Sequence, residues 1–190
     1  MDGIEKVRTD RLLLRRFTDA DREPFAALNA DPAVMEHFPS TLDRPASDAL
    51  VDRIDAHWDE HGWGLWAVEV PGVSPFIGFV GLWPADFVES GTVEVGWRLA
   101  RHAWGHGYAS EGASAALRVG FESLGLDEIV SFTSVGNANS RRVMTKIGLT
   151  HRPDRDFDHP SVDPATSPHL VHHVMYSVTR GEWDRFATGR

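Results

Sequence analysis

The chain contains no cysteine in its 190 residues. This absence excludes a disulfide framework and any catalytic or metal-binding thiolate. No apolar run approaches the roughly 20 residues that a membrane-spanning helix needs. The charged start of the chain, residues 1–6, lacks the apolar segment of a secretory signal. We therefore expect a cytoplasmic protein with no membrane partner.

Positive charge is also scarce, because 19 Lys and Arg stand against 28 Asp and Glu, for a net charge of −9. Such a surface repels phosphates, so no nucleic-acid partner is expected. The acidic balance is compatible with a cationic acceptor such as an amine. Hydrophobic residues make up 42% and charged residues 25%, which is ordinary for a globular protein. The length predicts a single domain over residues 1–190 with a sizeable core.

The pattern of apolar residues predicts alternating strands and helices. Short apolar segments between turn signals predict strands at residues 12–17, 65–70, 76–83, 92–99, 129–134 and 172–179. Apolar residues at helical spacing predict helices at residues 19–30, 47–60, 108–124 and 138–147. Residues 151–168, rich in Pro, Asp and His, are expected to be mostly irregular. This order indicates an α/β fold with a mixed, partly parallel central sheet flanked by helices.

The segment 104–109, Trp-Gly-His-Gly-Tyr-Ala, joins a predicted strand to the main predicted helix. Its glycines allow close approach of the backbone, and the first amides of a helix form an anion site, so a bound pyrophosphate is predicted. A plain tight connection is the alternative interpretation. A dinucleotide-binding loop would need a third glycine where Ser110 stands, and the Gly-Lys-Ser/Thr of a Walker A loop is missing.

Two motifs together indicate a family. They are Trp-Gly-x-Gly-Tyr-Ala-x-Glu at residues 104–111 and Asn-x-x-Ser-x-x-Val-x-x-Lys-x-Gly at residues 137–148. With the strand-like segments 9–15, 76–82 and 173–179, they resemble the GNAT superfamily of N-acetyltransferases. Within it the sequence is most similar to the branch of ribosomal-protein N-terminal acetyltransferases. The resemblance covers nearly the whole chain, and it implies a GNAT-like single domain in which two central strands are splayed.

The resemblance also implies acetyl-CoA as cosubstrate. Backbone groups at the end of the fourth predicted strand would pair with the pantetheine arm, namely those of Leu99, Ala100 and Arg101. Loop amides would hold the pyrophosphate beside the Ser110 hydroxyl, namely those of Gly105, His106, Gly107, Tyr108 and Ala109. Many members carry Gln or Arg where Trp104 stands, and we expect this indole to pack under the loop. Asn137 either caps the following helix or contacts the arm. Three cations are candidates for the 3′-phosphate: Arg141, Arg142 and Lys146.

Two residues are candidates for proton transfer. Ser140 is either the proton donor to the leaving thiolate or an ordinary residue of a first helical turn, and Met144 stands where many members have a Tyr. Glu94 is the candidate base, because a protonated amine must lose a proton before it attacks a thioester. Arg98 lies roughly 13 Å along the strand, too far to neutralise it. An ordinary strand glutamate is the alternative for Glu94, and weaker candidates for the base are Glu36, His37 and Glu111.

The histidines do not match a standard zinc pattern, so no metal is expected; they include His159, His169, His172 and His173. The sequence therefore predicts direct transfer of an acetyl group from acetyl-CoA to a primary amine in a ternary complex. The acceptor would be a protein N-terminal α-amine or a small amine. A non-catalytic acyl-CoA binding domain, favoured by Met144, remains an alternative, as does a nucleotide-binding module unrelated to CoA. A homodimer is left open.

Overall fold

The computed structural model describes residues 4–188. Its strands are β1 (Lys6–Arg8), β2 (Leu13–Arg15), β3 (Leu65–Glu69), β4 (Gly78–Pro84), β5 (Val93–Leu99), β6 (Glu128–Ser134), β7 (Thr150–His151), β8 (Phe157–Asp158) and β9 (His172–Thr179). Its α-helices are α1 (Arg22–Ala30), α2 (Arg44–His61), α3 (Tyr108–Arg118), α4 (Ala138–Lys146), α5 (Pro168–Val171) and α6 (Arg180–Thr188).

The strands form one sheet in the order β1-β2-β3-β4-β5-β6-β9-β7, with β8 also paired to β9. Neighbours are antiparallel except β5 and β6, which are parallel. A parallel pair needs a crossover connection, and α3 supplies it. The predicted mixed α/β fold with flanking helices is therefore confirmed.

The sheet is open at its centre. All seven residues of β5 pair with β4, whereas β5 and β6 share one register pair, Glu94 with Val130. β6 in turn pairs with β9 along its whole length. Beyond Glu94 and Val130 the two central strands therefore diverge and leave a cleft between their C-terminal halves.

The two faces of the β4–β5 part of the sheet face different helices. A Cβ on Gly112 of α3 would lie 2.9 Å from Val80, whose cross-strand partner is Trp97, so this face packs on α3. The opposite face of β4 carries Phe79, whose ring is 6.0 Å from that of Phe25 in α1. Because strand side chains alternate, three residues of β5 share this second face: Glu94, Gly96 and Arg98.

Several element boundaries differ from those expected. The main helix was predicted over residues 108–124, but α3 ends at Arg118 and a π-helical turn, Val119–Ser123, follows it. α2 begins earlier than expected because Asp43 caps it by accepting from the Ala46 amide. Neither β1 nor α6 was predicted. The mostly irregular segment after β7 carries the short strand β8, which pairs with β9.

Candidate active site

The loop before α3 has the conformation that its glycines predict. Gly105 and Gly107 have φ of 78° and 81°, values that side-chain-bearing residues rarely adopt. Within the described part of the chain, the amides of residues 105–109 donate to no other group. They lie at the positive end of the α3 dipole, so together they form an anion site.

The start of the chain closes over this loop. Arg11 donates to the His106 carbonyl at 2.9 Å and from Nε to Glu111 at 2.7 Å. Glu111 also accepts from the Thr9 hydroxyl at 2.6 Å. Although desolvation opposes it, these hydrogen bonds hold the pKa of Glu111 below its ordinary value. Glu111 is therefore a poor base, and its contacts fix the position of Arg11.

Cations border the loop on two sides. A Cβ built on Gly107 would lie 3.5 Å from Arg11 Nη2 and 4.0 Å from Lys146 Nζ. Both cations, with Ser110, line a groove of about 650 Å³ beside the loop and α3; none of the described residues of β5 or β6 lines this groove. The other two candidate cations, Arg141 and Arg142, line a neighbouring hollow of about 450 Å³ along α4. The sequence did not predict that Arg11 lies beside the loop, because its partner Glu111 is about one hundred residues away in the chain.

The end of β5 is partly engaged within the protein. The Ala100 amide donates to the carbonyl of Ile77, the residue before β4, at 2.9 Å. Because backbone groups alternate in direction along a strand, those of Leu99 point away from β4 and toward the cleft. The Leu99 carbonyl accepts from the Trp104 indole at 2.7 Å. Arg101 begins a short helical turn, and its side chain pairs with Asp31 at 2.8 Å. Trp104 is 44% exposed, so the expectation that it packs under the loop was wrong.

The first turn of α4 lies at the other side of the cleft. Asn137 caps the helix by accepting from the Ser140 amide at 3.1 Å, and its Nδ2 donates to Thr133 at 2.9 Å. Ser140 is half-buried in the first turn. Met144 is 1% exposed and belongs to the core, so it offers nothing to the cleft.

Glu94 lies where β5 and β6 part. Its carboxylate is half-buried and accepts no hydrogen bond from any residue between 4 and 188. Burial raises the pKa of Glu94 to about 8. Glu36, a weaker candidate, is exposed on the surface. His37 is placed near the end of β6, where its Nδ1 lies 3.2 Å from the Ser134 hydroxyl.

Comparison with known proteins assigns the family. The profile described as "Acetyltransferase (GNAT) domain" matches residues 11–150. The chain belongs to the GNAT acetyltransferase family. This membership confirms the resemblance that the two motifs indicated, and the fold of the family matches the one described above.

Relatives of this GNAT acetyltransferase come from bacteria and fungi. The FsC-acetyl coenzyme A-N(2)-transacetylase of Aspergillus fumigatus is 33% identical over 199 residues, 94% of this chain and 78% of that protein. The uncharacterized protein YkkB of Bacillus subtilis is 32% identical over 150 residues, 78% of this chain and 87% of that protein. A crystallised acetyltransferase from Agrobacterium tumefaciens is 28% identical, with a TM-score of 0.75 over 94% of this chain and 96% of its own.

This GNAT acetyltransferase has a half-buried cation, Arg98, whose contacts the sequence did not predict. Arg98 shares the face of Glu94, donates to Asn29 at 2.6 Å and lies 4.2 Å from the centre of the Phe38 ring. Burial lowers the pKa of Arg98 to about 10, so it is charged at neutral pH. An alternating strand pattern indicates which face Arg98 occupies but cannot reveal its contacts with α1 and the following loop.

Residues 4–188 contain neither a metal-binding cluster nor a membrane-spanning helix. No group of three or more His, Asp or Glu side chains there is placed to hold a metal ion. No helix in the same range is long and apolar enough to cross a membrane.

Proposed function

We propose that this GNAT acetyltransferase transfers the acetyl group of acetyl-CoA to a primary amine by direct attack in a ternary complex. The observation that carries the proposal is the position of Glu94. This half-buried carboxylate stands at the point where β5 and β6 separate, on the strand that leads to the anion site of residues 105–109. The family membership supports acetyl transfer, and the cleft supplies a place for it.

The residues of the cleft fit acetyl-CoA. Its pyrophosphate would be held by the amides of residues 105–109 and by the cations at Arg11 and Lys146, with the Ser110 hydroxyl nearby. Its arm would use the Leu99 amide on the open edge of β5, because the Leu99 carbonyl already accepts from Trp104 and the Ala100 amide already donates to Ile77. The cap of α4 leaves one Nδ2 hydrogen of Asn137 for the arm. Acetyl-CoA supplies an activated acyl thioester.

Side chains around the cleft would accept and donate the protons that the reaction moves. A primary amine such as a lysine side chain has a pKa of about 10.4 and arrives protonated. Glu94, with its pKa of about 8, can accept that proton when it is ionised, and its ionised fraction increases as the pH approaches 8. Ser140 would donate a proton to the departing thiolate. An amide on the open edge of β5 would stabilise the developing oxyanion.

The Aspergillus relative supports an amine acceptor. Its name specifies acetyl coenzyme A as donor and N(2), a nitrogen, as the position acetylated. By similarity, we propose nitrogen acetylation for this chain, with either a protein α-amine or a small amine as acceptor.

The test of the binding loop is Gly107→Val. A branched side chain at φ 81° strains the loop and blocks close approach of its amides, so acetyl-CoA affinity should fall at least about tenfold by calorimetry. Gly91→Val is the matched control, because Gly91 has φ of 82° on the exposed β4–β5 connection. The Gly91→Val variant has the same backbone strain and should bind acetyl-CoA with wild-type affinity.

Equal affinity in a folded Gly107→Val protein would remove the pyrophosphate assignment. Release of free CoA in the presence of an amine panel then tests transfer itself. Normal acetyl-CoA binding without transfer to any amine in the panel would replace the proposal with a non-catalytic acyl-CoA binding domain.

A further inference from the structure

Three phenylalanines and two histidines form a cluster that the chemistry above does not use. We call it the aromatic wall; it consists of Phe87, Phe132, Phe157, His159 and His173. Phe132 lies at its centre, 5.5 Å from the ring of Phe87 and 5.5 Å from that of Phe157. The His159 ring lies 4.9 Å from Phe87 and 4.8 Å from His173.

The aromatic wall lies on the Glu94 face of the sheet. A Cβ on Gly120 of the π turn after α3 would lie 2.5 Å from Ile129, so odd-numbered β6 residues face α3. Val130 and Phe132 therefore face the other way. Val130 is the register partner of Glu94, and Phe132 follows it by two residues, roughly 6.6 Å along the strand. The wall thus borders the cleft on the face of the sheet that carries Glu94.

The three phenylalanine rings are not part of the hydrophobic core. Phe87 is 49% exposed, and Phe132 and Phe157 are half-buried without joining the main cluster of buried residues. The floor beside them is open, since a Cβ on Gly96 would meet nothing within 4 Å. Exposed aromatic side chains at the rim of a cleft are typical of a ligand site.

Two rings of the aromatic wall belong to histidines. Burial lowers the pKa of both His159 and His173, which keeps their rings neutral at neutral pH. The exposed Asp158 carboxylate, between Phe157 and His159, lies 3.0 Å from the His172 ring. Arg98 shares this face of the sheet but lies roughly 13 Å along β5 from Glu94. The wall therefore offers uncharged aromatic surfaces to an acceptor.

We infer that the acceptor is a primary amine that carries an aromatic ring. Its nitrogen would lie at Glu94 and its ring against the aromatic wall. Aromatic rings prefer edge-to-face or offset contacts at the spacings found here, which favours an aromatic group over an aliphatic chain. The inference rests on the proposed function, since it names the acceptor of that site.

The test compares 2-phenylethylamine with propylamine and spermidine as acceptors. 2-Phenylethylamine should have at least about tenfold higher kcat/KM than either of the others. Phe87→Ala should raise its KM about tenfold while the KM for acetyl-CoA and for propylamine stays unchanged. Val73→Ala is the control, because Val73 is 79% exposed in the β3–β4 turn, away from the wall.

A preference for spermidine, or an unchanged KM in Phe87→Ala, would overturn the inference while transfer to amines still stands. A second readout is independent of turnover: ligand-observed NMR of 2-phenylethylamine with the wild type and Phe87→Ala. Binding that is lost in Phe87→Ala supports the aromatic subsite even if no acetyl group is transferred, in which case only the proposed function fails. Absence of binding to the wild type overturns the subsite.

Discussion

At the scale of single residues, Glu94 is the side chain whose surroundings most favour chemistry. A strand glutamate is usually hydrated or paired, whereas this one is half-buried and has no hydrogen-bond donor in the described part of the chain. Because its pKa is raised, the Glu94 carboxyl group is mostly protonated in the folded protein at neutral pH, whereas it is ionised in the unfolded chain. The same property therefore affects both proton transfer and stability.

Glu94→Gln should lower kcat at neutral pH and leave acetyl-CoA binding intact. The deficit should shrink as pH rises toward the pKa of the acceptor, because a neutral amine needs no base. Rates of CoA release between pH 6.5 and 10 measure this, with the exposed Glu36→Gln as control. A deficit independent of pH would assign Glu94 to acceptor binding.

The stability of Glu94→Gln supplies a second measurement. Between the unfolded pKa of about 4.3 and the folded pKa of about 8, Glu94 is protonated in the folded protein and ionised in the unfolded chain, so wild-type stability falls as pH rises through this range. Denaturation should show that the free energy of unfolding of the variant rises relative to that of the wild type. The relative increase should be at most about 1.4 kcal/mol per pH unit up to pH 8, with no further change above it. A constant difference would contradict the raised pKa.

Ser140→Ala tests the proposed proton donor. General acid assistance contributes about 10²–10⁴-fold, so kcat should fall within that range while acetyl-CoA affinity stays nearly constant. Ser123→Ala, which removes an exposed hydroxyl at the end of the π turn, is the control. A loss far below this range would mean that water protonates the thiolate or that it leaves unprotonated.

At the scale of elements, two glycines paired across β4 and β5 have opposite surroundings. Gly81 and Gly96 are register partners. A Cβ on Gly81 would lie 2.4 Å from the Gly64 carbonyl oxygen and 2.6 Å from the Leu65 Cα, both of them backbone atoms. A Cβ on Gly96 would meet nothing within 4 Å. One glycine permits strand packing, and the other leaves the cleft floor open.

Gly81→Ala should therefore destabilise the protein by more than about 3 kcal/mol, because backbone rather than a flexible side chain must move. Gly96→Ala, its matched partner, should change the free energy of unfolding by less than about 0.5 kcal/mol. Chemical denaturation of both variants measures the difference. Similar losses in the two would refute the assigned surroundings.

Most of these elements could be predicted because their periodicities are local. The spacing of apolar residues placed six of the nine described strands and four of the six described α-helices near their observed positions. The π turn escaped because its apolar residues continue the α3 pattern. The pairing of β8 with β9 also escaped, and with it the placement of Phe157, because register between distant segments leaves no local signal.

At the scale of the whole molecule, the site is assembled from distant parts of the chain. Thr9 and Arg11 meet Glu111, and Arg98 meets Asn29 and Phe38. The conformation of the glycine loop could be predicted because glycines followed by a helix form a compact signal. The position of Arg11 beside the loop and the aromatic wall could not, since each depends on contacts between elements far apart in sequence.

A single register pair between β5 and β6 joins the two parts of the sheet. The amide protons of β5 and β6 that point into the gap have no ladder partner to slow their exchange with solvent. A ligand that fills the gap joins the two parts, and at one hundred times its Kd it adds about 2.7 kcal/mol to the free energy of unfolding. Proteases that cleave transiently opened chains would then degrade the ligand-free protein faster than the loaded one.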